Sequence, residues 1–222
     1  MKKFIILLVM QLVAVGSFAQ LDKEQLALAI SKAEDANTEK LKEFVWKRKS
    51  DVSVNGALKL TTITEFSFDT QGKLQAKMVD ADSDVKQQRG LRGRAQQNAA
   101  EDKMDYIGKS LELALAYTYM TKGQLIDFFS KATVTEKNGI IEAIGENVNV
   151  QGDKLIMHVD AKTNLYLDKK FNSLLGKDPV DGEIKFEKFS SGVNHGSTTV
   201  LNMPAQKMKI DAKNQDYTQR VK

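Results

Sequence analysis

Two histidines carry all the imidazole chemistry that the chain offers, and the chain contains no cysteine. His158 lies within the apolar alternation of Leu155, Met157 and Val159, so its side chain is expected on the opposite strand face. His195 lies among glycines that predict a turn. Neither histidine belongs to an H-x-x-x-H or H-x-H pair, so a metal site would have to consist mostly of carboxylates. The sequence therefore predicts no metal site, and we expect no cofactor.

Other patterns that could support catalysis or ion binding are incomplete. The serines lack the G-x-S-x-G elbow of hydrolases, and the glycines lack the spacing of phosphate-binding loops. Asp80, Asp82 and Asp84 alternate, but an EF-hand would need glycine and glutamate where Val85 and Leu91 stand, so a solvated turn is the better interpretation. We therefore expect a binding protein and not an enzyme.

A cluster of basic residues follows the alternating aspartates. Its members are Lys86, Arg89, Arg92 and Arg94. Guanidinium groups bind phosphate through two parallel hydrogen bonds, so the cluster could contact an acidic lipid headgroup or a protein partner. A solvated connection is the alternative, and we favour it because the chain is only slightly basic.

The charge balance argues against a nucleic-acid partner. The formal net charge is +4. Lys2 and Lys3 lie in a segment that we expect to be removed, and without them 31 basic and 29 acidic residues give a net charge of +2. No aromatic residue lies among the clustered arginines to stack on bases. We expect no nucleic acid among the partners.

The first 19 residues have the pattern of a cleavable signal peptide. Lys2 and Lys3 precede an apolar stretch over residues 4–15, and Ser17 to Ala19 forms a small-x-small cleavage site before Gln20. The apolar stretch is shorter than the 20 or so residues of a membrane-spanning helix. We expect residues 1–19 to be removed and residues 20–222 to form a single domain, a monomer in the periplasm or secreted from the cell.

The mature chain begins with a helix and a three-stranded meander. Asp22 and Gln25 resemble a capping box, and we expect the helix to break or to be capped anew at Asn37 and Thr38. From residue 44 the apolar period changes to two, and the turn signals at 55–56 and 69–72 divide the segment into three antiparallel strands.

Helices are predicted in the middle of the chain and strands after it. Residues 80–103 are predicted as an exposed connection whose helical content is left open. Met104, Ile107, Leu111, Leu115 and Thr118 follow helical spacing, and a capping box at Thr121 and Gln124 starts a further helix. After residue 131, turn signals at 138–139, 152–153, 181–182 and 192–196 predict about five strands. An antiparallel sheet of this size needs cover on one face, which predicts an α+β fold with the sheet strongly curved over the helices.

Four segments resemble the LolA-like superfamily of periplasmic lipoprotein carriers, and in particular uncharacterised exported proteins of that type. They are residues 37–51 (NTEKLKEFVWKRKSD), the strand end and turn over 66–72, the basic run 89–94, and the carboxyl-terminal stretch from Thr198 to Tyr217. The resemblance implies an incomplete barrel closed around helices, with an apolar cavity between them.

Apolar residues of the predicted strands and helices are the candidate ligand-binding residues. They are Trp46, Phe66, Phe68, Leu111, Leu115, Phe128, Met157 and Phe186. Methionine and aromatic side chains line adaptable cavities, but the same residues fill ordinary cores, and the sequence leaves both possibilities open.

Two functions follow from these alternatives. The first is an exported, non-enzymatic protein that holds a lipid acyl chain or lipoprotein-like cargo between sheet and helices. The second is an envelope interaction or regulatory module with a filled core and no carried ligand.

Overall fold

The computed structural model describes residues 22–83, 91–189 and 192–220, and of residues 83 and 91–99 it describes the backbone only. Three helices are present in this part of the chain: α1 (Lys23–Leu41), α2 (Leu91–Thr118) and α3 (Lys122–Lys131). None of the described helices is long and apolar enough to cross a membrane.

Within the same described residues, ten strands form one antiparallel sheet. They are β1 (Phe44–Val54), β2 (Ala57–Phe68), β3 (Leu74–Ser83), β4 (Thr133–Lys137), β5 (Ile140–Glu146), β6 (Lys154–Asp160), β7 (Tyr166–Leu175), β8 (Asp178–Lys188), β9 (Asn194–Met203) and β10 (Met208–Gln219). Their order is β3-β2-β1-β10-β9-β8-β7-β6-β5-β4, so the sheet ends at β3 and β4 and is not closed. Register irregularities in several strand pairs bend and twist the sheet. The predicted α+β fold is confirmed.

Local sequence signals predicted α1 and β1–β3 correctly, except for a break within α1. The Asp22 carboxylate accepts hydrogen bonds from the backbone of Glu24 and Gln25 and so caps α1. Asn55 and Gly56 both have positive φ, as the two-residue β1–β2 turn requires. The predicted break near Asn37 is wrong. This buried side chain exchanges two hydrogen bonds with the backbone of Asn194, so a helix-disfavouring residue joins α1 to β9.

Residues 80–83 and 91–103 are more regular than predicted. Asp80 and Asp82 are exposed residues of β3 and not of a turn, while Asp84 lies outside the described residues. α2 then begins at Leu91, inside the predicted connection. The capping box of Thr121 and Gln124 is present at the start of α3, as predicted.

In the part of the chain that the structure describes, seven strands follow α3, where about five were predicted. The turn signal at Asp181 and Gly182 is wrong, because both residues lie inside β8. Gly182 is needed there for space: a Cβ atom at this position would lie 2.1 Å from the ring of Phe171 on β7. His195 likewise lies on β9, buried, and not in a turn.

The described residues form two apolar cores. The main core lies between the three helices and the sheet, with α2 against β7, β8 and β9, and α3 against α1 and β5. The second core joins the end of α1 to β1 and β2 and consists of Leu41, Trp46, Phe66, Phe68 and Val193. The interior therefore divides into a part under the helices and a part beside β1 and β2.

Candidate functional site

Strand register aligns side chains in rows across β1, β2 and β3. Arg48 pairs with Thr64, which pairs with Met78, and Trp46 pairs with Phe66, which pairs with Ala76. Directly opposed residues of antiparallel strands point to the same side of the sheet. We call the side that carries Trp46 and Arg48 the inner face.

Burial on the inner face decreases from β1 towards β3. Arg48 is 6% exposed, Thr64 is half-buried and Met78 is 53% exposed. The row of Trp46 shows the same trend, because Trp46 and Phe66 are buried and Ala76 is exposed. The inner face is thus closed at β1 and open at β3, where it presents a methionine to solvent.

Aromatic rings close one end of these rows. Trp46 is stacked on Phe66 with ring centroids 5.8 Å apart and on Tyr217 at 6.1 Å, and Phe68 lies 6.0 Å away. His195 meets the edge of Trp46 at 4.9 Å. Such ring pairs add stabilisation beyond burial, so this end of the inner face is a rigid wall.

Arg48 is a buried cation at the β1 end of its row. Its Nε donates to Asn214 Oδ1 at 2.9 Å, and its guanidinium carbon lies 4.8 Å from the ring centre of Phe66. Asn214 is held in turn by donating to the Gly196 carbonyl oxygen. Burial lowers the pKa of Arg48, and the tyrosines at 119 and 217 act in the opposite direction.

His195 lies between two tyrosine hydroxyls beside Arg48. Its Nε2 is 2.6 Å from Tyr119 Oη, and its Nδ1 is 2.5 Å from Tyr217 Oη. Burial lowers the pKa of His195 to about 3, and the charge of Arg48 contributes. A neutral imidazole can donate to one hydroxyl and accept from the other, so His195 is uncharged and fully bonded at neutral pH.

A second buried charge lies between the helices and β7. Lys169 is fully buried, and its Nζ donates to the carbonyl oxygens of Tyr117 and Thr118 at the end of α2. Burial lowers its pKa to about 7, and the nearby Glu34 opposes this change. Burial likewise raises the pKa of Glu34 to about 7, with the Lys169 charge acting in the opposite direction, and Glu34 Oε1 has no hydrogen-bond partner.

The eight predicted ligand-binding residues fall into two places. Trp46, Phe66 and Phe68 come together in the second core, whereas Phe128 and Met157 are buried in the main core. Leu111 and Phe186 are partly buried against the main core, and Leu115 is half-buried on α2. The buried residues of α2 include Ile107, Ala114, Tyr117 and Thr118. The predicted helical face was therefore right at Ile107 and Thr118, whereas Leu111 and Leu115 lie at its border.

The basic cluster cannot be placed as a site. Lys86 and Arg89 lie outside the described residues, and Arg92 and Arg94 lie on the first turn of α2, where only the backbone is described. The charged residues that the structure buries, Arg48, Lys169 and Asp153, and the half-buried Glu34 beside Lys169 were not among the predicted site residues. The sequence indicated the burial of two of them. Arg48 lies two residues from Trp46, and Lys169 two residues from Phe171, so each shares a strand face with an aromatic residue.

His158 lies on the opposite side of the sheet between two carboxylates. Its Nδ1 is 2.8 Å from Asp168 Oδ1, and its Nε2 is 3.0 Å from Glu142 Oε2. Burial alone would lower its pKa, but the hydrogen bonds to these carboxylates outweigh burial and raise it. Within the described residues, no group of three His, Cys, Asp or Glu side chains is arranged to hold a metal ion.

The strand order and the helices define an α+β protein with an open antiparallel sheet. No protein-family model matches the chain, and no curated protein matches it in sequence. Among solved structures, it is similar to a DUF1329 family protein from Desulfovibrio piger, with 10% identity, a TM-score of 0.41, and 90% of this chain and 92% of that one covered.

Two further similar structures carry names from the predicted superfamily. A LolA superfamily protein from Nitrosomonas europaea has 10% identity and a TM-score of 0.35, covering 85% of this chain and 94% of that one. A structure described as an outer membrane lipoprotein-sorting protein domain from Vibrio parahaemolyticus has 11% identity and a TM-score of 0.38, covering 87% and 92%.

Proposed function

We propose that this chain is an exported, non-enzymatic binding protein that holds an apolar or amphiphilic ligand on the inner face of β1–β3. A lipid acyl chain or lipoprotein-like cargo is the expected ligand class. The observation that carries this proposal is the decrease in burial from Arg48 to Met78 along one row of the sheet. It supports a groove with a closed, aromatic end and an open, apolar end.

Apolar burial would provide the binding energy. Covering the exposed side chain of Met78 and the half-buried Leu60 removes apolar surface from water, at about 25 cal/mol per Å². Each methylene of an acyl chain buried there contributes about 0.8 kcal/mol. A methionine at the open end suits ligands of varied shape, because its flexible thioether repacks at low cost.

The bonding of the histidines supports binding without catalysis. Both ring nitrogens of His195 lie within hydrogen-bond distance of tyrosine hydroxyls, and both ring nitrogens of His158 contact carboxylates. A general base needs a free nitrogen within reach of its substrate. Neither imidazole meets this requirement in the folded protein.

The main core favours the second candidate function, an envelope interaction or regulatory module. Met157 and Phe128 are buried among other side chains of this chain, as residues of an ordinary core are. The proposed ligand site is therefore the inner face of β1–β3 and not one cavity lined by all eight candidate residues. If that face binds no ligand either, the interaction module is the better function.

A glutamate at Met78 should abolish uptake of a fluorescent fatty acid without unfolding the protein. Met78 is more than half exposed, so Met78→Glu changes stability by no more than about 0.5 kcal/mol, whereas it places a charge where the chain should lie. The measurement combines dye titration with thermal unfolding of the same samples.

Leu174→Glu is the matched control. Leu174 is 38% exposed on β7 and points away from its buried neighbour Ser173, so its replacement should leave dye binding unchanged. Equal loss of binding in both variants, or no dye binding by the wild type, contradicts a ligand site on the inner face.

Export is the remaining part of the proposal, and it rests on residues outside the described part of the chain. Expressed in a Gram-negative host, the protein should be recovered from the periplasm with Gln20 as its first residue, because cleavage is expected after Ala19. Intact-mass measurement of the recovered protein checks this. A periplasmic or cytoplasmic protein that retains Met1 contradicts it.

A further inference from the structure

We infer that Arg48 anchors an anion-binding subsite, and that the ligand on the inner face is an amphiphile whose head carries a carboxylate or phosphate group. This inference rests on the proposed function and specifies its substrate class. It is carried by the position of one guanidinium, its hydrogen bonds and the charges around it.

The guanidinium of Arg48 has unused donors. Arg48 is only 6% exposed. Among the described residues, its side chain makes one hydrogen bond, from Nε to Asn214 Oδ1. That contact leaves the two terminal nitrogens, whose hydrogens form a fork that fits two oxygens of a carboxylate or phosphate. Asn214 and the ring of Phe66 fix the plane of this fork.

The cations next to Arg48 are paired, whereas Arg48 is not. Lys47 Nζ lies 3.9 Å from Asp216, and Lys49 Nζ lies 3.1 Å from Asp51, both on the exposed side of β1. Within the described residues, no carboxylate forms an ion pair with Arg48. Acidic partners on β1 and β10 thus lie where water already screens the charge, and among the described residues none pairs with the buried guanidinium.

The groups around Arg48 do not supply the missing negative charge. Tyr119 and Tyr217 are neutral hydroxyls at physiological pH, since burial raises the pKa of both, to about 12 for Tyr119. His195 is neutral as well. A buried cation among neutral groups is unfavourable in the empty protein, and an anionic ligand head would relieve that cost.

The row geometry gives the ligand its orientation. A head bound to Arg48 on β1 lies about 10 Å, two strand spacings, from Met78 on β3. The tail would cross Thr64 towards the open end of the groove. A charged head at the closed end and an apolar tail at the open end match the polarity of the row.

Binding of probes with one chain length and different heads tests this inference. The probes are dodecanoate, dodecyl phosphate, dodecanol and dodecyltrimethylammonium, with inorganic phosphate alone as a further arm, all measured by displacement of a fluorescent fatty acid. The wild type should bind the two anionic amphiphiles at least about tenfold more tightly than the alcohol, because hydrogen bonds between two charged groups are stronger than those to a neutral hydroxyl. The cationic probe should bind most weakly.

Two variants assign the preference to Arg48. Arg48→Met should abolish the difference between dodecanoate and dodecanol while dodecanol binding stays within about threefold, since the tail contacts remain. Lys47→Met removes a charge from the same strand on the exposed side and should keep the full preference. Displacement by inorganic phosphate would identify the anion itself as sufficient, and displacement only by the amphiphiles would identify a lipid head; either result supports the subsite.

The outcomes separate the inference from the proposed function. A wild type that binds the acid and the alcohol equally overturns the anion subsite and leaves the binding function standing. A wild type that binds no probe overturns both. The wild-type comparison requires no variant, so it decides the question even if Arg48→Met does not fold, and loss of the preference in Lys47→Met also overturns the role of Arg48.

Discussion

Replacing Lys169 with methionine is expected to lower the free energy of unfolding by about 1–3 kcal/mol, the usual cost of leaving buried hydrogen-bond acceptors without their donor. Methionine has nearly the same length, so little packing volume is lost. What is lost is the Nζ group, which donates to the last carbonyl oxygens of α2 and lies 3.6 Å from the ring centre of Tyr166. Urea unfolding of both proteins at pH 7 measures the difference.

The size of this effect follows from what the variant leaves behind. The carbonyl oxygens of Tyr117 and Thr118 would lose a charged donor at the negative end of a helix dipole. Glu34, whose Oε1 already has no hydrogen-bond partner, would lose its neighbouring cation. Unpaired polar groups in a buried site carry the full cost of their desolvation.

A double-mutant cycle separates the two contributions. If Glu34 and Lys169 interact, Glu34→Gln combined with Lys169→Met should destabilise the protein by about 0.5–3 kcal/mol less than the sum of the single variants. Lys170→Met is the matched control, because Lys170 is the next residue on β7 and its side chain is half exposed. Additive single effects would show that Lys169 acts through the end of α2 alone.

Elements specified by local chemistry were predictable from the sequence, and elements specified by packing were not. The capping box at Thr121 and the turn at Asn55 and Gly56 satisfy backbone groups within a few residues, so their side chains identify them. Gly182 has the residue type of a turn, but its function is to admit the ring of Phe171 from the neighbouring strand. That reason involves residues 11 positions apart in the chain.

The candidate site was only partly predictable for the same reason. Alternation placed Trp46, Phe66 and Phe68 on one face, and the structure brings these three together. Alternation also placed Arg48 on that face, but a charged residue in a strand is ordinarily solvated, and its burial depends on β10 and on Asn214, distant in sequence. The partition of apolar residues into two cores likewise depends on where α2 crosses the sheet, which periodicity does not specify.

The pKa values of the two histidines should lie on opposite sides of the ordinary value of 6.5. Burial lowers the pKa of His195 to about 3, whereas the carboxylates of Asp168 and Glu142 raise that of His158 despite its partial burial. In an NMR titration from pH 4.5 to 9, one imidazole signal should shift with a midpoint above 6.5, and the other should not shift. Because the chain has just two histidines, each is the internal control for the other.

The contributions of the two histidines to the free energy of unfolding should therefore change with pH in opposite directions. His195 is neutral in the folded protein and accepts a proton on unfolding below pH 6.5, so its contribution is present above that pH and is lost as the pH falls towards 3. His158 contributes below pH 6.5, and its contribution is lost as the pH rises through its folded pKa. Relative to His195→Gln, the wild type should therefore lose about 1.4 kcal/mol of unfolding free energy per pH unit below pH 6. A constant difference between the two proteins from pH 7 to pH 4.5, or a second imidazole titrating near 6.5, would contradict a neutral His195 held between Tyr119 and Tyr217.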